Sequence, residues 1–229
     1  MGTYKRLPRG KEKPHDEFRD WTVHAIVWLR RRWISVLEFV GVGIVAVAVV
    51  LGAQAYGRHS ASSGAQALYE AEVMAPGSDE RRAALEEVAD DYSRYFAGKR
   101  AMMQLGDILV EQGDFAKAQE QFMKLANGSR NQPMLRIAAL HKLAEAQLAG
   151  GDANEAAATY RRAAADPGNL IPATSELMAA ACLERAGEYD SAAELYLRII
   201  DDAGEEQGVA KEMSEERLLW LVAKGYISG

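Results

Sequence analysis

An all-α fold is predicted: an N-terminal amphipathic and transmembrane helix, followed by a solenoid of helical hairpins. Three observations predict it. A ten-residue phrase recurs as "GDFAKAQEQF" (113–122), "GDANEAAATY" (151–160) and "GEYDSAAELY" (187–196). Residues beyond 66 are rich in Ala, Leu, Glu, Gln, Arg and Met, with Gly and Pro as punctuation, a helical composition without β-branched runs. One long apolar stretch precedes them.

The first 14 residues, "MGTYKRLPRGKEKP", are basic and broken by Pro and Gly, so no packed element is expected there. In 15–33, Phe18, Trp21, Ala25, Trp28 and Leu29 recur at steps of three and four. That spacing fits either an amphipathic helix on the membrane surface or an extension of the span, and the two stay open. Residues 1–33 are assigned to a cytoplasmic basic segment.

The stretch "ISVLEFVGVGIVAVAVVLGAQAY" (34–56) carries one charge, Glu38, near its start. About 20 apolar residues at 1.5 Å each cross a bilayer core, so it is assigned as a transmembrane helix contacting membrane lipid. Trp33 and Tyr56 stand at its ends, where amphipathic rings favour the headgroups. The chain has formal net charge −6, but unevenly: residues 1–35 hold nine Lys/Arg against four acids, and 57–229 hold 18 basic against 28 acidic residues. Arg30, Arg31 and Arg32 abut the first end of the span. The bias places the N-terminus in the cytoplasm and the acidic body in the periplasm of a bacterial inner-membrane, single-pass protein. An n-region over 30 residues long argues against a cleaved signal peptide. Ala48 and Gly52, four apart, permit close helix contact in the span, and Glu38 reaches the interface or a basic partner group.

Residues 57–66 include "GRHSASSGA" and are expected as a flexible linker. The segment 67–96 is a degenerate hairpin turning at Pro76–Asp79. After it the three phrases set a register. Gly113, Gly151 and Gly187 are spaced by 38 and 36 residues. Ala118, Ala156 and Ala192 follow each glycine, then Phe122, Tyr160 and Tyr196, then Leu125, Ala163 and Ile199. Ahead of each glycine lie Leu105–Gly106, Leu143–Ala144 and Ala179–Ala180. This is the tetratricopeptide pattern: a small pair on a first helix (A), a tight turn, then small, aromatic and apolar positions on a second (B). Small residues are needed where the two helices cross, and the aromatic fills the gap where they splay. One hairpin cannot bury its apolar face alone, and stacked copies can. Asp114 and Asp152 are expected to cap the B helices, with Asp152 and Glu155 at capping-box spacing. Pro133 and Pro172 suit first helical turns. The acidic stretch 201–212 is expected as a solvated loop, and 214–225 as a helix closing the last repeat. The repeat body is thus 67–229, with a C-terminal capping helix.

No catalytic, cofactor-binding or metal-ligating constellation is evident. The histidines at 15, 24, 59 and 141 are scattered, and there is no phosphate loop or nucleophile elbow. Cys182 is the single cysteine, expected at a buried helical position as a structural thiol. The acidic body disfavours nucleic acid, and no small-molecule substrate is indicated. What remains is surface for proteins. The register places Arg100, Met103, Asp107, His141, Glu145, Leu177, Glu184 and Arg185 on the A-helix face as candidate partner-binding residues.

The whole arrangement, with "FVGVGIVAVAVVLGAQAY", "YSRYFAGKRAMMQLGDILVEQGDFAKAQEQF" and the two later hairpins, resembles the YfgM-type family. Tyr95, Ala97 and Ala101 match the aromatic and small-rich helix that family carries before its first clear repeat. The longer basic N-terminus, the 201–212 insert and the well-formed third repeat depart from it. The resemblance implies an ancillary subunit of the SecYEG translocon that links translocon subunits to periplasmic chaperones such as the membrane-anchored prolyl isomerase PpiD. A structural scaffold of another envelope complex, in outer-membrane biogenesis, division or a large membrane assembly, is the alternative.

Overall fold

The computed structural model describes residues 27–28, 32–202 and 208–228. The segments 1–26, 29–31 and 203–207 lie outside it, and with them most of the expected amphipathic helix and the middle of the acidic stretch. Nine helices occupy the described residues, and no strand is found among them: α1 (Trp33–Glu72), α2 (Asp79–Asp91), α3 (Phe96–Glu111), α4 (Phe115–Gly128), α5 (Pro133–Ala149), α6 (Ala153–Ala164), α7 (Pro172–Ala186), α8 (Tyr189–Asp202) and α9 (Gly208–Ala223). The chain divides into two units at Gly57 and Arg58.

In the first unit, α1 presents Phe39, Val42, Ile44, Val45, Val49 and Leu51 to the outside. The stretch from Leu37 is long and apolar enough to cross a membrane. Glu38, Ala48 and Gly52 are all exposed on it.

The linker expected over 57–66 is instead helical, the central stretch of α1. Ala, Ser and Gln cost a helix little, and the turns beyond Arg58 gain tertiary contacts. A side chain at Gly64 would lie 2.7 Å from the Tyr92 ring, while Leu68 and Ala71 join the core with Leu85, Val88 and Leu105. The last turns of α1 thus act as the A helix of the degenerate hairpin, with α2 as its B helix. Ser78 caps α2, its hydroxyl accepting from the Arg81 amide at 3.1 Å.

The three clear hairpins are α3/α4, α5/α6 and α7/α8. Each turn closes identically. The glycine adopts a left-handed conformation (φ +77° at Gly113, +97° at Gly151, +81° at Gly187). The next amide then donates back to the fifth carbonyl before it: Asp114 to Leu109, Asp152 to Gln147 and Glu188 to Leu183, each at 2.9 Å. This paired helix-ending arrangement fills the last carbonyls, and glycine enters it without the Cβ penalty. The recurring phrase therefore begins at a backbone requirement. Its next positions are packing requirements: Ala118, Ala156 and Ala192 are fully buried, as are Ala144 and Ala180. A Cβ at Gly106 would sit 2.4 Å from the Phe122 ring.

Pro133 and Pro172 begin α5 and α7 as expected. Asp114 caps α4, accepting from the Lys117 amide at 3.4 Å. Asp152 makes no side-chain cap, which corrects the capping-box expectation. Glu155 is drawn away to accept from the Gln147 side chain at 3.3 Å. α9 begins at Gly208, six residues before the expected Ser214, so the second half of the acidic stretch is helical rather than a loop. Burial of Ala210 on the same helix face as Ser214 and Leu221 extends it backward.

Candidate functional site

Consecutive A helices lie near one another: α3 contacts α5, and α7 contacts α9. Their facing side chains form a chain of polar links. Glu72 of α1 accepts from Arg100 Nε at 2.9 Å and Gln104 Nε2 at 2.5 Å, both on α3. Lys142 of α5 then reaches Asp107 of α3 at 3.2 Å and Glu145 of its own helix at 3.3 Å. His141 Nε2 lies 2.8 Å from the Ser175 hydroxyl of α7. At the last step Glu184 of α7 is bound by Arg217 of α9, with its other contact the Tyr196 hydroxyl at 2.5 Å.

These links differ in exposure. Asp107, Lys142 and Glu145 are roughly half exposed. His141 is half-buried, edge-on to Tyr160 with ring centres 5.2 Å apart. Burial holds its imidazole below the ordinary value, against the pull of the Glu145 carboxylate. Glu184 retains 8% side-chain exposure beneath α9.

Of the expected A-face residues, Arg100, Asp107 and Glu145 are therefore surface ion-pair members, and Met103 packs partly against the core. Two differ from expectation. Leu177 is 6% exposed and belongs to the second core cluster. Glu184 is a buried anchor for the closing helix, because α9 packs on α8 and α7 where a further A helix would have continued the stack. Arg185 is exposed and borders a shallow cleft with Gly151, Asp152 and Glu155. Lys142, Gln104, Glu72, Ser175 and Arg217 complete the links and were not singled out from the sequence. Spacing from a paired residue marks Lys142 alone, three residues before Glu145; the others depend on which helices become neighbours.

A further staple joins α5 to the turn before α7: Arg136 grips Asp166 through two nitrogens at 2.5 and 2.6 Å. That guanidinium, with the Gly168 amide, holds the Asp166 carboxyl below the usual carboxylate range. Among the described residues no group of three or more His, Cys, Asp or Glu is disposed to hold a metal. Cys182 is buried, and burial pushes its thiol up to about 11, which suits a packing residue rather than a nucleophile.

Residues 27–207 match the tetratricopeptide repeat-like domain family, leaving α9 beyond the matched region. Two crystal structures are similar in fold. They are a Podosopora anserina protein described as a kinesin light chain with nearly identical TPR-like repeats, and a single-residue variant of that protein. Each is 16% identical with TM-score 0.49 over 72% of this chain, and the match covers 85% and 84% of theirs. No curated protein matches.

Proposed function

Because the chain belongs to the tetratricopeptide repeat-like family, we propose that it is a non-catalytic, membrane-anchored adaptor that takes protein partners on the A-helix face of its repeats. The observation carrying this reading is the half-exposed Asp107–Lys142–Glu145 link on adjacent A helices. Exposed ion pairs contribute only about 0–1 kcal/mol to a fold, so these three charges can exchange one another for partner groups at little cost. Helix α1 is the tether. The arginine cluster before it supports a cytoplasmic N-terminus and a periplasmic repeat body at the bacterial inner membrane. The resemblance to the YfgM-type family supports the SecYEG translocon and a membrane-anchored prolyl isomerase as the partners that this face and the span bring together.

The test is affinity purification of the full chain from membranes in mild detergent, comparing the unaltered protein with an Asp107→Lys/Glu145→Lys variant. The reading expects the variant to lose its protein partners while keeping its helical circular dichroism. Unchanged partner recovery would reject the A face as the docking surface. Recovery of division or outer-membrane assembly proteins, without translocon subunits, would replace the translocon assignment.

A further inference from the structure

A second surface feature lies at the other end of the first clear hairpin, where the α2–α3 turn, the first turns of α3 and the last turn of α4 enclose a cleft. Its floor is apolar, formed by the buried Met102 and Leu125. Three cations border it: Arg94, Lys99 and Lys124. Lys124 is already paired with Glu120 at 3.1 Å on the exposed side of α4. Arg94 has no carboxylate partner among the described residues.

Lys99 is the unusual member. It is 8% exposed, yet its ammonium has one polar side-chain partner, the neutral Gln132 Oε1 at 3.1 Å. An ammonium carries three donors, so a single side-chain acceptor leaves donor capacity at the cleft that Lys99 lines, while its stem is packed away from solvent. Asp90 borders the cleft but makes no ion pair with Lys99.

We infer that this cleft receives the carboxylate of a glutamate or aspartate, flanked by an aliphatic residue, from a protein partner. The carboxylate sits between Lys99 and Arg94, and the aliphatic neighbour lies on Met102 and Leu125. The chemistry favours a single carboxylate over polyanions. Asp90 stands at the rim, and the surrounding body carries 28 acidic against 18 basic residues over 57–229, so nucleic acid or an anionic lipid surface meets repulsion that a mono-acidic, partly apolar segment does not. The inference rests on the reading that partners are proteins, and adds a second contact to the A face.

The full chain in a non-ionic detergent is titrated into two fluorescein-labelled peptides, one with Leu-Glu-Leu and one with Leu-Gln-Leu at the centre of a Gly/Ser frame, and anisotropy is read. The glutamate peptide is expected to bind at least about tenfold more tightly, the scale of a charge-assisted contact. Lys99→Met removes that preference, Arg94→Ala weakens it by a smaller factor, and Asp107→Lys/Glu145→Lys leaves it intact. Equal binding of the two peptides overturns the inference. So does an undiminished preference in a folded Lys99→Met protein, or in Arg94→Ala where Lys99→Met fails to fold. Displacement of the peptide by inorganic phosphate or short-chain phosphatidylglycerol would mark a general anion site and likewise overturn it. Should the peptides not bind while partner recovery still depends on Asp107 and Glu145, the cleft assignment fails and the A-face adaptor reading stands.

Discussion

Replacing Gly106 by alanine sets two effects of opposite sign against each other, and the geometry decides between them. In an isolated helix the change is favourable by about 1 kcal/mol. In α3 the new methyl would lie 2.4 Å from Phe122 Cε1 and 2.5 Å from Cζ, where carbon atoms settle at roughly 3.5–4.0 Å. The ring or the helix must therefore retreat by about 1 Å. Phe122 is fully buried, with Leu125, Leu105 and Ala101 in the same cluster, so it has no solvent side to move into. Overpacking of this kind costs about 1–3 kcal/mol, occasionally more. The propensity gain offsets part of that, leaving a net loss of up to about 2 kcal/mol and a Tm lower by up to roughly 8 °C for a body of this size. Urea unfolding of the full chain, followed by far-ultraviolet circular dichroism in detergent, measures it. A Gly106→Ala/Phe122→Leu protein should lose less than the sum of its single changes, with a favourable coupling of about 1 kcal/mol or more. If Gly106→Ala shows the full gain of about 1 kcal/mol over the parent that an open helix position would give, or the coupling is zero, close helix crossing is not why this position is small.

Three other outcomes follow from the same contacts. Glu184→Ala leaves the Tyr196 hydroxyl without its buried acceptor and frees Arg217; a loss of about 1–3 kcal/mol is expected, and hydrogen exchange should quicken in 208–223 ahead of the other helices. His141 is held below its ordinary value of 6.5 by burial. As pH falls through that value the unfolded chain takes up the proton first, so the stability this site confers, fully present above it, declines progressively toward pH 5. His141→Gln should flatten that part of the Tm–pH curve, and an unchanged slope would assign it to other groups. Cys182, 2% exposed with its thiol pushed up to about 11, should react with an aromatic disulfide reagent at pH 8 only on unfolding.

Periodicity made the hairpins readable because each repeated position answers a local demand. The turn glycine needs φ > 0, the alanines need a close crossing, and the aromatic needs a gap to fill. Where the demand is tertiary, sequence was silent or misleading. "GRHSASSGA" reads as a linker by composition, yet Gly64 is where α1 accepts the Tyr92 ring. Glu184 has the register of an A-face residue, but the closing helix supplies Arg217 from 33 residues away. Asp152 and Glu155 have cap spacing, and the nearby Gln147 competes for the glutamate. The polar links between A helices could not be paired from the sequence, since each joins residues about one repeat apart and only stacking sets them opposite one another. Asp107, Glu145 and Arg100 were legible as a face; of their partners only Lys142, three residues before Glu145, carried a spacing signal.

The central claim is that proteins dock on the A helices of the repeats. A photo-crosslinking amino acid placed at Lys142 in the full chain, in its native membrane, tests it most directly, with the exposed B-helix position Glu194, away from the cleft, as the control. The account predicts discrete protein adducts from position 142 and none of the same size from position 194. Adducts from 194 alone, or identical adducts from both, would contradict it.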